Sequence, residues 1–180
     1  LNGEKVGKDE MTPGWTSYRR HLLYQTYEIT DFLKEGDNVA GAMLAPGWYK
    51  CVMGLTKARN NYGDQTGFAM ELRIRYEDGS EDIIVSDLSW KVSDGPIVFD
   101  DIYDGERYDA RLEKDGWDMP DYADKDWADA CKVSEKMGRL VSQGTFPAVK
   151  VIKPRIPVSM TQPQAGVYLY DFGQNFAGWV

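Results

Sequence analysis

Apolar and charged side chains alternate along residues 68–76, and this is the clearest periodic pattern in the chain. A period of two places one set of side chains in a core and the other in water, as in a half-buried β-strand. The apolar set is Phe68, Met70, Leu72, Ile74 and Tyr76, and the charged set is Glu71, Arg73 and Arg75. A turn sequence with glycine follows at 77–80, and residues 82–86 are again strand-like, so the pattern predicts an antiparallel hairpin.

Other short segments carry weaker versions of the same signal. Residues 24–30 alternate, residues 39–44 form an apolar strand interrupted by glycine, and residues 90–92 form a further short strand. Helical signals are sparse: one capped turn at 30–36 that ends at glycine, and at most two turns at 124–130. Short strands with turn signals about every 8 to 12 residues predict an all-β fold, an antiparallel β-sandwich of the jelly-roll-like kind.

The two ends of the chain carry signals of domain organisation. Asn2-Gly3 predicts a hairpin turn whose first strand precedes the chain. Several prolines occur between residues 147 and 163, so residues 153–164 are interpreted as a connector. Residues 167 onward are interpreted as the first strand of another domain, and this strand is expected to lack its partner strands. We expect an N-terminal β-sandwich accessory domain over 1–152, and a linker with the start of a second β-sandwich domain over 153–180. A signal peptide that precedes these residues would not be seen, so the sequence does not predict the cellular compartment. Export to the periplasm or out of the cell is one of the alternatives.

Composition narrows the function classes. The chain is 42% hydrophobic and 28% charged, which is ordinary for a globular protein, and 13% aromatic, which suits β-sandwich cores and sugar-stacking surfaces. A net charge of −8 disfavours nucleic-acid partners, and no apolar run of about 18 residues predicts a membrane span. A single histidine, His21, excludes a multi-histidine metal site and disfavours a Ser-His-Asp triad. Cys51 and Cys131 either pair or, as the favoured interpretation, remain unpaired buried thiols.

Residues 94–129 hold thirteen of the 29 acidic residues, and they allow three interpretations. In the first, the carboxylates bind Ca²⁺ or accept hydrogen bonds from sugar hydroxyls. In the second, which we favour, they form a solvated acidic surface. In the third, two of them form a glycosidase pair about 5 to 9.5 Å apart. The segment starting at Asp100 fails as an EF-hand because its third and twelfth positions are Ile102 and Arg111. No catalytic residue and no metal ligand is therefore assigned.

A few residues stand out as candidate ligand contacts. Glu106, Asp109 and Arg111 form either an ion-paired clamp between loops, which is favoured, or a polar surface for a ligand. Trp48 follows Pro46-Gly47, so its ring is either a core plug, which is favoured, or a sugar platform, while Trp15 is interpreted as a packing cover. The ligand-binding candidates are Trp48, Asn60, Asn61, Asp101, Tyr103, Glu106, Asp109 and Arg111.

Eight segments keep the order and approximate spacing of segments in one known family. They are 1–7 (LNGEKVG), 13–18 (PGWTSY), 27–30 (YEIT), 47–49 (GWY), 87–91 (DLSWK), 95–97 (GPI), 101–111 (DIYDGERYDAR) and 170–179 (YDFGQNFAGW). Together they resemble the bacterial α-L-rhamnosidases, large glycoside hydrolases that release terminal L-rhamnose. The resemblance implies an N-terminal β-sandwich, followed by another β-sandwich that opens at residues 171–179. It also implies that catalysis occurs by inversion in a separate (α/α)₆ barrel, of which this chain has no trace.

The resemblance leaves three functional hypotheses. The first is a non-catalytic module of an α-L-rhamnosidase that hydrolyses terminal α-L-rhamnosyl linkages, with the rest of the parent polypeptide and rhamnose-containing carbohydrate as partners. The second is an independent carbohydrate-binding module for rhamnose-bearing glycans, acting either without a cofactor or with Ca²⁺, through which the resemblance implies that some relatives bind L-rhamnose. The third is a purely structural spacer.

Overall fold

The computed structural model describes residues 1–55, 57–134, 138–144 and 147–178. Within these residues the chain is built almost entirely from short strands. They are β1 (Asp9–Glu10), β2 (His21–Tyr24), β3 (Glu71–Arg75), β4 (Glu81–Val85), β5 (Lys91–Val92), β6 (Ile97–Asp101), β7 (Gly105–Tyr108), β8 (Ala128–Asp129), β9 (Arg139–Ser142), β10 (Val149–Lys150), β11 (Ser159–Gln164) and β12 (Val167–Asp171). The helical elements are α1 (Gly47–Lys50) and two 3₁₀ turns, Thr30–Phe32 and Ala110–Leu112. None of the described helices is long and apolar enough to cross a membrane.

The strands pair two by two. The antiparallel pairs are β1–β10, β3–β4, β5–β8, β6–β7 and β11–β12, and the pair β2–β9 is parallel. Three pairs are local hairpins, whereas β1–β10 and β2–β9 join the first residues of the sandwich to its last. The all-β, mainly antiparallel sandwich is therefore confirmed, and the parallel pair is a feature that local patterns did not predict.

The hairpin predicted over residues 68–86 is present as β3–β4. Leu72 pairs with Ile84, and Leu72 and Ile74 are half-buried while the charged residues between them are exposed. Gly79 has a φ of 87° in the connecting turn, where its N–H donates to the carbonyl of Tyr76 at 3.0 Å. Glycine adopts this left-handed conformation without strain, which is why the turn sequence was informative.

Two predicted strands are absent. The first, over residues 24–30, ends at Tyr24 because the carboxylate of Glu28 accepts the N–H groups of Ile29 and Thr30 at 3.1 and 3.0 Å. Such local side-chain bonds replace ladder bonds and favour a turn. The second, over residues 39–44, is irregular because Val39 exchanges hydrogen bonds with the backbone and side chain of Asn2, both at 2.9 Å.

The helical predictions are only partly correct. The turn predicted at 30–36 is a 3₁₀ turn over Thr30–Phe32 whose cap makes no side-chain hydrogen bond. The helix predicted at 124–130 is wrong: a single turn ends at Trp127, and Ala128–Asp129 then pairs with β5. Strand pairing gives the backbone N–H and C=O groups of these residues hydrogen-bond partners, whereas a helix of only two turns would leave many of these groups without a partner.

The predicted connector also needs correction. Residues 159–164 form β11, which pairs with β12 across a bulge, so the strand from Val167 has a partner that we did not expect. The boundary between 152 and 153 remains a prediction. Trp179, the last residue of the 170–179 segment, lies outside the described residues.

The buried residues form a small and partly polar set. The apolar members among the described residues are Tyr18, Cys51 and Val52, and the polar members are Asn2, Asp101 and Gln143. Both cysteines are free, which agrees with the favoured interpretation, but only Cys51 is buried and Cys131 is exposed. Three of the buried residues, Cys51, Val52 and Asp101, lie within one hydrogen-bonded region that organises the candidate site.

Candidate functional site

A cluster of aromatic rings lies around α1, which begins directly after Pro46. Trp48 on α1 stacks on Trp15, with ring centroids 5.8 Å apart and planes 20° apart. The indole N–H of Trp15 donates to the hydroxyl of Tyr62 at 3.1 Å. The ring of Trp15 remains 55% exposed, so it presents an aromatic face to solvent.

Tyr18 supports this cluster from beneath. Its ring meets Tyr49 edge-on at 5.2 Å and Tyr62 at 4.9 Å, both geometries that aromatic pairs favour. Burial, with a smaller effect of Tyr62, raises the pKa of Tyr18 to about 12, so the phenol stays neutral. We call this cluster the aromatic platform, and its members are Trp15, Tyr18, Trp48, Tyr49 and Tyr62.

Asp101, at the end of β6, is the most heavily bonded candidate residue. Its side chain is fully buried, and its Oδ1 accepts the N–H groups of Tyr103 at 2.9 Å and Asp104 at 3.2 Å. Its Oδ2 accepts the N–H of Val52 at 2.9 Å and forms an ion pair with Arg59 at 2.9 Å. Burial alone would raise the pKa of Asp101, but the three amide bonds and the guanidinium together lower it.

These bonds decide against calcium at this loop. Both carboxylate oxygens of Asp101 are engaged by N–H donors, and the guanidinium of Arg59 supplies the positive charge that a metal ion would bring. Ca²⁺ requires six to eight oxygen ligands. The described parts of the chain contain no group of three or more histidine, cysteine, aspartate or glutamate residues that could hold a metal ion. The described residues of this loop therefore do not fit a Ca²⁺ site.

Arg59 connects Asp101 to the rest of its surroundings. The guanidinium also pairs with Asp104 at 2.9 Å and lies 5.5 Å from the ring centroid of Phe99. The two asparagine candidates follow Arg59 in the chain and are exposed. The N–H of Asn60 donates to the carbonyl of Lys50, and the carbonyl of Asn61 accepts from Arg19 at 3.2 Å, so this loop joins the platform to the β6–β7 hairpin.

The predicted clamp between loops is wrong in its geometry. Arg111 binds the carboxylate of Asp109 with its Nε at 2.7 Å and also with its Nη2, but the two residues belong to one 3₁₀ turn. Glu106 instead lies opposite Asp100 in the β6–β7 register. Burial, followed by the charges of Glu106 and Asp101, raises the pKa of Asp100. The Asp109–Arg111 pair therefore locks a turn, not two loops, and Glu106 lies outside that turn.

The eight candidates thus fall into two groups. Trp48, Asn60 and Asn61 lie on α1 and the loop after it, and the others lie on the β6–β7 hairpin and the turn that follows: Asp101, Tyr103, Glu106, Asp109 and Arg111. Asp101 joins the groups through Val52 and Arg59. Sequence reasoning missed Tyr18 and Tyr62. Tyr18 lies in the 13–18 segment beside Trp15, which was assigned to packing alone, whereas Tyr62 is the single aromatic residue between Tyr49 and Phe68 and had no local signal.

Comparison with known proteins agrees with this architecture. The profile of the family described as "Alpha-L-rhamnosidase N-terminal domain" matches residues 1–153. A protein of Streptomyces avermitilis named α-L-rhamnosidase is 36% identical over 180 residues, covering 100% of this chain and 17% of its own length. One of Formosa agariphila with the same name is 36% identical over 185 residues, covering 100% of this chain and 19% of its own length.

Solved structures give the same result. The Streptomyces avermitilis α-L-rhamnosidase complexed with L-rhamnose superposes with a TM-score of 0.83 at 34% identity, over 97% of this chain and 17% of that one. The α-L-rhamnosidase from Dictyoglumus thermophilum gives a TM-score of 0.72 at 32% identity, over 97% of this chain and 19% of that one. The fold and its order of motifs are those of an N-terminal β-sandwich domain found in glycoside hydrolases. The chain belongs to the α-L-rhamnosidase N-terminal domain family, and it spans about a fifth of the length of its relatives.

Proposed function

We propose that this chain is a non-catalytic module of an α-L-rhamnosidase that hydrolyses terminal α-L-rhamnosyl linkages, with the chemistry in other parts of the parent polypeptide. The state of Asp101 carries the proposal. A glycosidase acid needs a raised pKa and free access to the leaving-group oxygen. Asp101, the buried acid of the described residues, has a lowered pKa and no free oxygen.

A second place to consider is the pair Asp100 and Glu106, where burial and the neighbouring carboxylates raise the pKa of Asp100. Residues opposite each other on antiparallel strands have Cβ atoms about 5 Å apart. However, Glu106 is exposed on a two-stranded hairpin, and a glycosidase acid is maintained by an enclosed, apolar environment. This arrangement favours a structural role for Asp100 and Glu106 at the edge of the hairpin, and not a catalytic role.

The large accessible surface, with several exposed apolar residues, supports a place within a larger protein. The chain exposes 14,617 Å², whereas a compact protein of this mass exposes about 8,800 Å². Ile152, Ile156 and Val158, just before β11, are 99%, 86% and 69% exposed. We place the boundary of the sandwich at 152 and assign residues 153–180 to a linker and the start of a following β-sandwich, whose remaining strands would cover this surface.

Hydrolysis of an aryl α-L-rhamnoside tests the proposal. The 180-residue chain is compared with the longest polypeptide that contains it, at equal molar concentration. We expect release of the aryl alcohol only by the longer polypeptide, and equal activity of its D100N/E106Q variant. Turnover by the 180-residue chain itself contradicts the proposal, as does loss of activity in that variant when its thermal midpoint is unchanged.

A second candidate function is capture of rhamnose-bearing glycans by the domain itself. The observation that favours it is the exposed Trp15 ring, fixed in orientation by its stack on Trp48 and its hydrogen bond to Tyr62. Sugar rings stack on such faces through their C–H groups. The Streptomyces avermitilis relative was solved complexed with L-rhamnose. Because Asp101 is fully bonded, we expect binding here without Ca²⁺.

Calorimetric titration with L-rhamnose, in calcium and in chelator, tests this candidate. We expect the same affinity in both buffers and a loss of at least about tenfold for Trp15→Ala. Trp90→Ala is a matched control, since that indole packs near Phe68 outside the platform. Absence of heat at millimolar sugar removes the second candidate and leaves the first standing.

A further inference from the structure

A cleft of about 490 Å³ opens between the β1–β10 pair and the β2–β9 pair. It is lined by Asp9, Tyr24, Gln25, Thr26, Tyr27, Ser142, Gln143, Gly144, Pro147, Ala148 and Lys150. Small-molecule sites in proteins commonly have volumes of about 300 to 1,000 Å³. None of the eight ligand-binding candidates belongs to this lining, so the cleft is new information from the fold.

The cleft contains one buried polar side chain, Gln143, which is 5% exposed. Its Oε1 accepts the N–H of Gly14 at 3.2 Å and also accepts from Nε2 of Gln25. Because a backbone N–H can only donate, the side-chain oxygen of Gln143 must face Gly14, and the side-chain nitrogen must face away from it. No hydrogen bond joins this nitrogen to another described residue, and no buried side-chain nitrogen or oxygen among those residues lacks a partner. The nitrogen is therefore unpartnered and not completely enclosed, and it belongs to a residue that lines the cleft.

The walls are polar but electrically balanced. Nζ of Lys150 lies 3.6 Å from Oδ1 of Asp9, and the hydroxyl of Tyr27 donates to Oδ2 of the same carboxylate at 3.2 Å. The two formal charges compensate each other, so neither an anion nor a cation is favoured. The exposed hydroxyls of Thr26 and Ser142 add groups that both donate and accept.

Two aromatic rings complete the lining. Tyr24 and Tyr27 are 44% and 36% exposed, so both place aromatic surface beside the polar groups, Tyr24 the more of the two. Mixed donors and acceptors, balanced charge and accessible aromatic faces match a ligand with many hydroxyls and apolar C–H faces. Neutral saccharides have this chemistry.

The cleft also continues towards the aromatic platform. A smaller cavity of about 40 Å³ shares Gln143, Pro147 and Ala148 with it, and Trp48 lines this cavity. Trp48 in turn stacks on Trp15. The cleft and the aromatic platform are therefore neighbours, joined through the residues that line both cavities.

We propose that this cleft is a saccharide subsite in which Tyr24 stacks on a sugar ring and the amide nitrogen of Gln143 donates to a hydroxyl. The proposal rests on the second candidate function above, capture of rhamnose-bearing glycans, and names the place where the sugar is held. It assigns the sugar to the cleft formed by residues from both ends of the sandwich rather than to the platform alone.

The test titrates the 180-residue chain with L-rhamnose and with 4-nitrophenyl α-L-rhamnopyranoside, by calorimetry and by ¹H–¹⁵N NMR. We expect Tyr24→Ala to weaken binding about tenfold or more, and the side-chain amide signals of Gln143 to shift on saturation of the wild type. Tyr168→Ala is the matched control, because that tyrosine is 54% exposed on β12, away from the cleft. Equal thermal midpoints of the variants show that both fold.

The outcomes separate the two proposals. Binding that Trp15→Ala weakens but Tyr24→Ala does not, without a shift of the Gln143 signals, overturns the cleft and retains capture by the platform. No binding of either sugar by the wild type overturns both. Loss of affinity in Tyr24→Ala with a shift of the Gln143 signals, and wild-type affinity in Tyr168→Ala, supports the cleft.

Discussion

The backbone N–H of Val52 donates to Oδ2 of Asp101 at 2.9 Å, although the two residues lie 49 positions apart. This bond fastens the end of α1 and its following loop to the β6–β7 hairpin. Because the carboxylate also carries Arg59 and two further amide bonds, its removal leaves several buried donors without a partner.

We therefore expect Asp101→Asn to lower the free energy of unfolding by about 3 kcal/mol, since an amide cannot accept from donors on both sides or balance Arg59. Urea unfolding followed by tryptophan fluorescence measures the change. Asp104→Asn is the control: it loses only an exposed ion pair with Arg59, which is worth less than about 1 kcal/mol. Equal effects of the two substitutions would show that Asp101 is not the central acceptor.

The pH dependence of stability follows from the same residue. The pKa of Asp101 is lower in the folded chain than in the unfolded chain, where it is about 3.9. The stability that ionised Asp101 contributes is thus complete above that value and is lost as the pH falls through the folded pKa. We expect the difference in unfolding free energy between wild type and Asp101→Asn to be constant near neutral pH and to shrink below about pH 4. A constant difference down to pH 2 contradicts the assignment.

Gly138 makes the parallel pairing of β2 and β9 possible. A Cβ added there would lie 2.4 Å from both the carbonyl carbon of Arg20 and the amide nitrogen of His21. The backbone would have to move, so we expect Gly138→Ala to cost about 3 kcal/mol of unfolding free energy in urea. Gly95→Ala is the matched control, because a Cβ at Gly95 meets nothing within 4 Å, and a change of less than about 1 kcal/mol is expected.

Asn2 fastens the start of the chain. Its side-chain nitrogen donates to the carbonyl of Phe32 at 2.9 Å and to Asn38 at 2.8 Å, and its oxygen accepts the N–H of Val39 at 2.9 Å. Its φ is 53°, so Asn2→Gly removes these bonds without introducing backbone strain.

We expect Asn2→Gly to lower the free energy of unfolding by about 3 kcal/mol, close to 1 kcal/mol for each lost bond. Thermal and urea unfolding measure the effect. Asn175→Gly, at an exposed position, is the control and should change stability by less than about 1 kcal/mol. A stability of Asn2→Gly close to that of wild type would mean that water replaces the three bonds.

The cysteines differ in accessibility. Cys51 is buried, and burial raises the pKa of its thiol, whereas Cys131 is exposed. The thiolate is the reactive form, so we expect one thiol to react with a disulfide reagent in the native chain and two in denaturant. Cys131→Ser should abolish the native reaction and retain one reactive thiol in denaturant. Rapid native labelling of Cys51 would contradict its burial.

Local patterns predicted the parts of the fold that are themselves local. Alternation from Phe68 to Tyr76 and the glycine at 79 contain all the information for the β3–β4 hairpin, because both strands and the turn are contiguous. The strand predicted at 24–30 failed for a related reason. The Glu28 carboxylate offers the backbone a competing partner that an alternation pattern does not weigh.

Long-range partners explain most of what was missed at the site. Asp101 was chosen for its acidic surroundings, but its partners Val52 and Arg59 precede it by more than forty residues, so its structural role was hidden. Trp15 reaches Tyr62 across 47 positions, and Gln143 reaches Gly14 across 129. No spacing rule connects such residues, because only the folded backbone brings them together.

The pairing of β1 with β10 has a consequence for synthesis of the chain. Asp9 meets Lys150, and β2 meets β9 over residues 139–142, so the earliest strands obtain their partners from some of the last residues of the sandwich. Non-local pairings of this kind slow folding, because the long loop between the two strands must close, with a loss of chain entropy, before the strands make any contact that compensates for it. On a translating ribosome, β2 is without its partner until residue 142 emerges and β1 until residue 150 emerges, and their unpaired edges are open to chaperones until then.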